Sequence, residues 1–485
     1  MQETGAISIG TDVQTLYAFI GYLLLLISIG LYSTRFSSTG ISEFFIGGRT
    51  MNKFVIALSA VVSGRSAWLL IGVTGLVYAR GISGVWAVVG YTLVELILFF
   101  TYAKRIREFS EKHDCITVPD FFAERFGDKN GTLRSLLIFT LLIFMISYVS
   151  AQLVAGGKAF SSSFGLEQNM GVLLSAGIIL IYTVLGGFLA VSLTDVFQAF
   201  FMILALIFLP VIAIQELGGW GILTEQLNLQ EVTLIDPFAL TIGVFIGFIG
   251  IGLGSIGSPH IISRYMAIDD PKNLKFAGLV GTFWNIVMGA GAVLIGLVGR
   301  AYFMDVNMLP GADIENLYPY LAQLHLSPIL FGIVLASIFA AIMSTADSQL
   351  LVAASSVVRD WYQKILKKDE EITPKKLVLY SRLVIVGLVL LALVFGLIAE
   401  DLVYWLVLFA WAGLGASIGP TSILALYWQG TTKKGVMAGI VTGTLVTIIW
   451  YFVPILKNAM YELIPAFIAS LVVTILVSRV TKNED

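Results

Sequence analysis

Along the whole chain, apolar stretches long enough to cross a hydrocarbon core of about 30 Å as helices alternate with short polar connections. They fall near residues 13–33, 52–79, 84–103, 132–155, 171–187, 188–216, 238–265, 275–304, 327–358, 376–398, 402–427, 435–454 and 460–479, which predicts an all-α integral membrane protein of thirteen transmembrane helices. Only Gly186-Gly187 divides the fifth span from the sixth. Two spans are interrupted in mid-membrane: the second at 61–68 (Val-Val-Ser-Gly-Arg-Ser-Ala-Trp) and the seventh at 248–260 (Phe-Ile-Gly-Ile-Gly-Leu-Gly-Ser-Ile-Gly-Ser-Pro-His). Glycine and proline weaken a helix by about 1 and 3 kcal/mol. Irregular backbone at membrane depth survives only where it is buried in protein or lines a cavity. The interruptions lie five spans apart, as in two five-helix halves repeated with inverted topology, whose broken helices frame a midplane binding site. Glycine-rich spans also serve plain close packing, and that alternative stands for 248–260.

The ninth span carries a polar strip, Ala-Ile-Met-Ser-Thr-Ala-Asp-Ser-Gln at 341–349. Ala341, Ser344, Thr345 and Ser348 follow i, i+3, i+4, i+7 spacing and share one helical face. Hydroxyl and carbonyl oxygens on such a face suit a hard cation such as Na⁺. We count four ionisable side chains deep in the spans: Arg65, Glu95, Asp195 and Asp347. Each costs about 2.5–3.5 kcal/mol at the bilayer centre on the insertion scale, which makes each a functional expectation. Three carboxylates against one guanidinium leave surplus negative charge. Bound cations or protons must neutralise it, because a lone buried carboxylate takes up a proton in preference to staying charged. A plainer alternative is that Arg65 pairs with one carboxylate to hold the bundle together. His260, after Ser-Pro at a helix interruption, reads as a hydrogen-bonded structural residue, with a proton relay as the alternative.

Composition agrees with the pattern. The 485 residues are 58% hydrophobic and 12% charged, with a mean hydropathy of +0.91, far from the soluble average. Charge placement adds orientation. With the N-terminus outside, cytoplasmic loops hold 24 of the 29 Lys and Arg, mostly in 104–134 and 359–382; the outer loops hold Arg80, Lys158, Arg300 and Lys457. The single Cys115 excludes an intrachain disulfide. The first apolar run has span length and no basic flank, so it reads as a span and not as a cleaved signal. Residues 104–131 are expected to form an amphipathic interfacial helix and 305–322 an outer-loop helix, with simple connections as the alternative. No metal-ligand cluster, Ser/His/Asp set or nucleotide loop marks the chain, which argues against an enzyme.

Several segments together resemble the solute:sodium symporter family, most closely its proline-transporting branch. They are Phe-Phe-Ile-Gly-Gly-Arg at 44–49, Ala-Leu-Ser-Ala at 57–60, Trp-Leu-Leu at 68–70, Gly-Gly-Phe-Leu-Ala-Val-Ser-Leu-Thr-Asp at 186–195, Pro-His-Ile-Ile at 259–262, Met-Ser-Thr at 343–345 and Phe-Ala-Trp-Ala-Gly at 409–413. The resemblance implies a leucine-transporter-like 5+5 inverted-repeat core at 52–427. An extra N-terminal helix at 13–33 precedes it and two C-terminal helices at 435–479 follow. It implies a principal sodium site at the backbone carbonyls of Val62 and Arg65 together with Ala341, Ser344 and Thr345. Some members have a second sodium site, which the resemblance places at Asp195, Asp347 and Ser348, a candidate second Na⁺ or H⁺ site here. Ser66, Trp68 and Tyr148 match substrate-side positions, with Gln152 one turn beyond Tyr148.

The departures carry weight too. Proline transporters have an aspartate and a methionine where this chain has Gly64 and Arg65, and bulky aromatics where it has Ile251 and Ser255. Loss of those aromatics is expected to open the pocket beside Ser255. Arg65 then has two sharp readings. Its planar fork binds a substrate carboxylate, the preferred one, or it reaches Asp195 and Asp347 as a tethered cation in place of Na⁺. The expectation is a cell-membrane symporter importing a small organic solute, an amino acid or other carboxylate, with Na⁺ as coupling ion. The alternatives are a proton-coupled or sodium-independent carrier, and a transporter-like nutrient receptor without turnover. Partners are the solute, Na⁺ and the bilayer, with no nucleic acid and no obligate protein partner.

Overall fold

The computed structural model describes residues 12–37, 40–368, 370–399 and 402–482. Its main helices in chain order are α1 (Val13–Ser37), α2 (Lys53–Ala67), α3 (Thr74–Arg80), α4 (Val85–Phe100), α5 (Thr132–Phe164), α6 (Gln168–Leu217), α7 (Ile242–Gly250), α8 (Pro259–Ala267), α9 (Leu274–Tyr302), α10 (Pro328–Ser355), α11 (Pro374–Ile398), α12 (Val403–Tyr427), α13 (Lys433–Phe452) and α14 (Leu463–Thr481). Among the described residues, ten helices are long and apolar enough to cross a membrane, or eleven when the bent pair Ile242–Gly257 and Pro259–Ala267 is taken as one span.

Local chemistry sets the starts. Asn52 accepts the N–H groups of Phe54 and Val55, both at 3.0 Å, and opens α2. Thr432 does the same for Gly435 at α13, at 3.1 Å. Proline stands at the head of α8, α10 and α11, where a missing N–H removes nothing the helix needs. Leu390, Leu391, Val394 and Phe395 of α11 and Leu445, Ile449 and Phe452 of α13 remain exposed, as side chains facing lipid do.

The breaks occur where the sequence is polar or glycine-rich. Ser66 (φ 43, ψ −173) ends the first half of the second expected span, and a π-helical turn at Trp68–Val73 leads into α3. Gly187 (φ 61, ψ −174) bends α6 in the same way. Between α7 and α8 the chain turns by 55°. Close packing also explains the glycines of 248–260. A Cβ on Gly252 would press on the Gly90 carbonyl and Val94, one on Gly254 on the Trp411 ring, and one on Gly257 on the Leu414 backbone. These glycines let the broken segment sit directly against α4 and α12.

α10 runs through the interior, packed by α1, α2, α5 and α6, and nearly all of its residues from Phe331 onward are buried. α1 lies across α6 and α10, while α13 and α14 pair with each other beside α12. The 104–131 region contains helices Tyr102–Lys112 and Val118–Phe126, the latter capped by Thr117. The 305–322 region is short 3₁₀ turns followed by helix Leu317–His325. Cys115 is a buried free thiol; burial, with Asp120 and Glu124 adding to it, pushes it up to about 12.

Candidate ion and substrate site

The break in α2 faces the polar strip of α10. Ser344 Oγ donates to the Val62 carbonyl at 3.3 Å or to the Ala341 carbonyl at 3.2 Å. Thr345 Oγ1 donates to the Ser63 carbonyl at 2.9 Å. Val62, Ala341 and Ser344 are therefore neighbours, and Thr345 joins them through Ser63. The Arg65 carbonyl instead accepts the Trp68 N–H within its own chain segment. All of these residues are buried. The arrangement gathers hydroxyl and carbonyl oxygens that a small hard cation can share, in place of the bonds they now make to one another.

One turn back along α2 and one turn on along α10 lies a second polar cluster. Asp195 Oδ2 accepts from Ser59 Oγ at 2.6 Å and Ser63 Oγ at 3.2 Å. Ser63 Oγ also lies 3.2 Å from Ser348 Oγ, and Ser348 is 3.2 Å from Asp347 Oδ1. Asp195, Ser348 and Asp347 are thus neighbours. The cation at the cluster is Arg264. Its Nη2 donates to Asp195 Oδ2 at 3.2 Å and to Ser348 Oγ, its Nε to Ser59 at 3.1 Å, and its Nη1 to the His260 carbonyl at 2.8 Å. This corrects the charge count. Arg264, placed with the loop charges because it ends the seventh span, is fully buried. Three buried carboxylates therefore face two guanidiniums. Asp195 Oδ1 and Asp347 Oδ2 are buried with no hydrogen-bond partner among the described residues.

Arg65 follows neither of its sharp readings. Its Nε donates to Asn285 Oδ1 at 2.7 Å and its Nη2 to Glu95 Oε2 at 3.3 Å, while its guanidinium lies 3.4 Å over the Tyr91 ring. Asn285 donates to the same Glu95 oxygen. The side chain turns away from Asp195 and Asp347 and is held by α4 and α9, so the plainer expectation of a pairing that ties the bundle is what the geometry gives. Planar stacking on a ring is open to guanidinium and not to the methionine of the proline branch.

The substrate-side residues enclose very little space. Trp68 and Tyr148 line a cavity of about 10 Å³ with Gly64, Tyr91, Ile251, Val407, Leu408 and Trp411. Trp68 stacks on Tyr91 with centroids 6.1 Å apart, and Tyr91 on Trp411 at 5.5 Å. The expectation that the pocket opens when aromatics are lost at 251 and 255 is wrong. Rings from α4 and α12 fill the room, and Trp411 Nε1 donates to the Ile251 carbonyl at 2.7 Å. Ser66 Oγ accepts from the Trp68 N–H at 3.1 Å and lies 3.2 Å from Tyr148 OH; Gln152 Oε1 accepts from the Ala67 N–H at 3.1 Å. Both therefore hold the break from behind. Ser255 is buried and outside the cavity lining. His260 is buried beside Tyr148 and Trp411. A larger cavity of about 140 Å³ adjoins through Ile251 and Leu408, edged by Arg80, Trp405, Lys457 and Glu462.

The pattern that defines the Sodium:solute symporter family matches residues 44–443. The chain belongs to that family. Among its relatives is a sodium/proline symporter of Staphylococcus aureus (strain JH9), 38% identical over 97% of this chain and 93% of the relative. The fold resembles that of a Na⁺-coupled sialic acid symporter solved substrate-bound and outward-open, with a TM-score of 0.81 and 16% identity over 98% of each chain. A nucleobase-cation-symport-1 family transporter in a closed conformation is more distant, with a TM-score of 0.57 and 14% identity over 91% of this chain and 95% of that one.

For this member of the sodium:solute symporter family, sequence reasoning missed Ser59, Ser63, Arg264, Asn285, Tyr91 and Trp411. Signals existed for some of them. Ser59, Ser63 and Ser66 follow i, i+4, i+7 spacing on α2, and Arg264 lies one turn after His260. Trp411 sits inside the 409–413 motif. Tyr91 and Asn285 stand alone in apolar spans and become legible only when α4 and α9 are brought against α2.

Proposed function

We propose that this chain imports a small organic solute, an amino acid or other carboxylate with proline as first candidate, using Na⁺ bound between α2 and α10. As a member of the sodium:solute symporter family it is a sodium-coupled symporter. The observation that carries the site assignment is the approach of the Ser344 and Thr345 hydroxyls to the Val62 and Ser63 carbonyls at the break. The sodium/proline relative supports proline as the first solute to test. Substrate contacts are assigned to Trp68, Tyr148, Tyr91 and Trp411 once the rings part, with entry from the side of Arg80 and Lys457. The tethered-cation alternative for Arg65 loses its support, because Glu95 and Asn285 hold that side chain. With Arg65 facing Glu95 and Arg264 facing Asp195, Asp347 is the carboxylate left without a cation, and it is assigned a proton or a second Na⁺.

The same reading takes the molecule as thirteen spans. Splitting Lys53–Phe100 at Gly81–Gly84 and counting both the bent pair and Gln168–Val184 with the ten long helices gives that number. The core is taken as an inverted 5+5 repeat, in the cell membrane with the N-terminus outside. Uptake of labelled proline, other amino acids and organic acids into proteoliposomes tests the function. Uptake driven by an inward Na⁺ gradient and abolished in K⁺ is expected. Equal uptake without Na⁺, or with a pH gradient alone, would overturn sodium coupling. Solute binding without accumulation would point to a receptor.

A further inference from the structure

On the face of the molecule that carries most of its basic residues, α5 runs beside the helical turn Ser356–Leu366 that extends α10. The two helices touch at Gly131 and Ile365 and again at Phe139 and Trp361, whose centroids are 6.3 Å apart. Eight residues separate the two contacts on α5, roughly 12 Å of helix. At the Gly131 end opens a pocket of about 480 Å³ lined by Lys129, Lys364 and Lys368. These three lysines are exposed and make no ion pair among the described residues. The other charges there are largely spent. Arg134 is bound by Asp120 and Asp360, and Asp128 by Lys433 at 2.6 Å, which leaves Glu124 as the opposing carboxylate among the described lining residues. At the Phe139 end the two helices leave a shallow apolar notch lined by Ser135, Ile138, Phe139, Leu142 and Trp361. Phe139 is 60% exposed and Trp361 41%. A net cationic pocket at one end of this helix contact and an apolar notch with a tryptophan at the other have the layout of a phospholipid, headgroup first and acyl chain after.

We propose that this groove binds one anionic phospholipid, its phosphate and headgroup among Lys129, Lys364 and Lys368 and one acyl chain along Phe139 and Trp361. Charge complementarity selects the anionic headgroup, and the apolar notch selects a lipid over a free anion. The bound lipid would hold the distal extension of α10 against α5, and α10 is the helix that carries Ser344 to Ser348. The proposal depends on the membrane setting and not on the ion or solute assignments, so its failure would leave those untouched.

The test is native mass spectrometry of the full chain in detergent with an equimolar mixture of phosphatidylglycerol and phosphatidylcholine. The first lipid bound is expected to be phosphatidylglycerol. Each lysine near an anionic surface contributes about five-fold in binding at low salt, so the triple change K129Q, K364Q and K368Q should lower the preference by on the order of 100-fold. Trp361→Ala should lower retention of both lipids while keeping their ratio. Unchanged thermal stability of the variants without lipid would show that they fold. Equal retention of both lipids by the wild type would overturn the proposal. So would a triple variant with the wild-type preference, or displacement of phosphatidylglycerol by millimolar glycerol phosphate, which would mark a site for a soluble anion.

Discussion

At the scale of single residues, the informative fact is which buried charge meets which. Arg65 and Glu95 are each about 2% exposed, and removing one partner leaves the other uncompensated, at a cost of about 3–5 kcal/mol. Arg65→Met, the residue of the proline branch, is expected to destabilise by that order, and Arg65→Met with Glu95→Gln to recover most of it. Thermal unfolding of both variants and of Glu95→Gln gives the coupling directly, and a fully additive double variant would refute it. Ser344→Ala and Thr345→Ala act elsewhere. Each should raise the Na⁺ concentration for half-maximal uptake about ten-fold or more, at one lost ligand of at least roughly 1.4 kcal/mol, with little change in fold stability. Wild-type sodium dependence in both would refute the assignment. The types of these residues were legible from sequence, because serine, threonine and aspartate stand out in an apolar span. Their partners were not. Arg264 sits at the sequence edge of a span, and only the bend between α7 and α8 carries it to Asp195.

At the scale of elements, the broken helices were the most readable part of the chain, because glycine, proline and hydroxyl residues interrupt otherwise continuous apolar runs. Their cause is less simple than a binding site alone. Gly257 backs directly onto the Leu414 backbone, whereas Gly387 in α11 has nothing within 4 Å of a built Cβ. Gly257→Ala is therefore expected to cost about 1–3 kcal/mol by overpacking and to reduce uptake. Gly387→Ala should be neutral or stabilise by up to about 1 kcal/mol, the helix-propensity gain. Melting curves separate the two, and equal shifts would remove the packing argument. What the sequence did not disclose was the filling of the pocket. Ile251 and Ser255 in place of bulky aromatics read as open space, yet Gly254 and Gly252 beside them admit Trp411 from α12 and the backbone of α4.

At the scale of the whole molecule, distant helices are tied at their ends. Asp128, just before α5, accepts from Lys433 at the head of α13 at 2.6 Å and from the Arg134 N–H at 2.9 Å. Burial alone disfavours the charged carboxylate and pushes its pKa up, but the Lys433 bond and the backbone N–H groups outweigh burial and hold the carboxyl below its ordinary value of 3.8. A carboxyl depressed in the folded state contributes stability that is fully present above 3.8 and is lost as pH falls below it. Acid unfolding of the wild type should therefore steepen in that range, and Asp128→Asn should flatten it; identical profiles would show that the tie does not contribute.

The stack of Trp68, Tyr91 and Trp411 has its own consequence. If the solute binds among these rings, as proposed above, they act as the molecule's built-in competitor, since it must displace one aromatic face to touch another. Apparent affinity then equals intrinsic affinity scaled by the fraction of molecules whose rings stand apart. Ring pairs contribute about 0.5–1.5 kcal/mol each beyond their buried area, so the prying open is a measurable share of the total. Discrimination among solutes would follow how well each replaces ring-on-ring contact, and the observed binding rate would level off at high solute concentration, at the speed with which the stack opens.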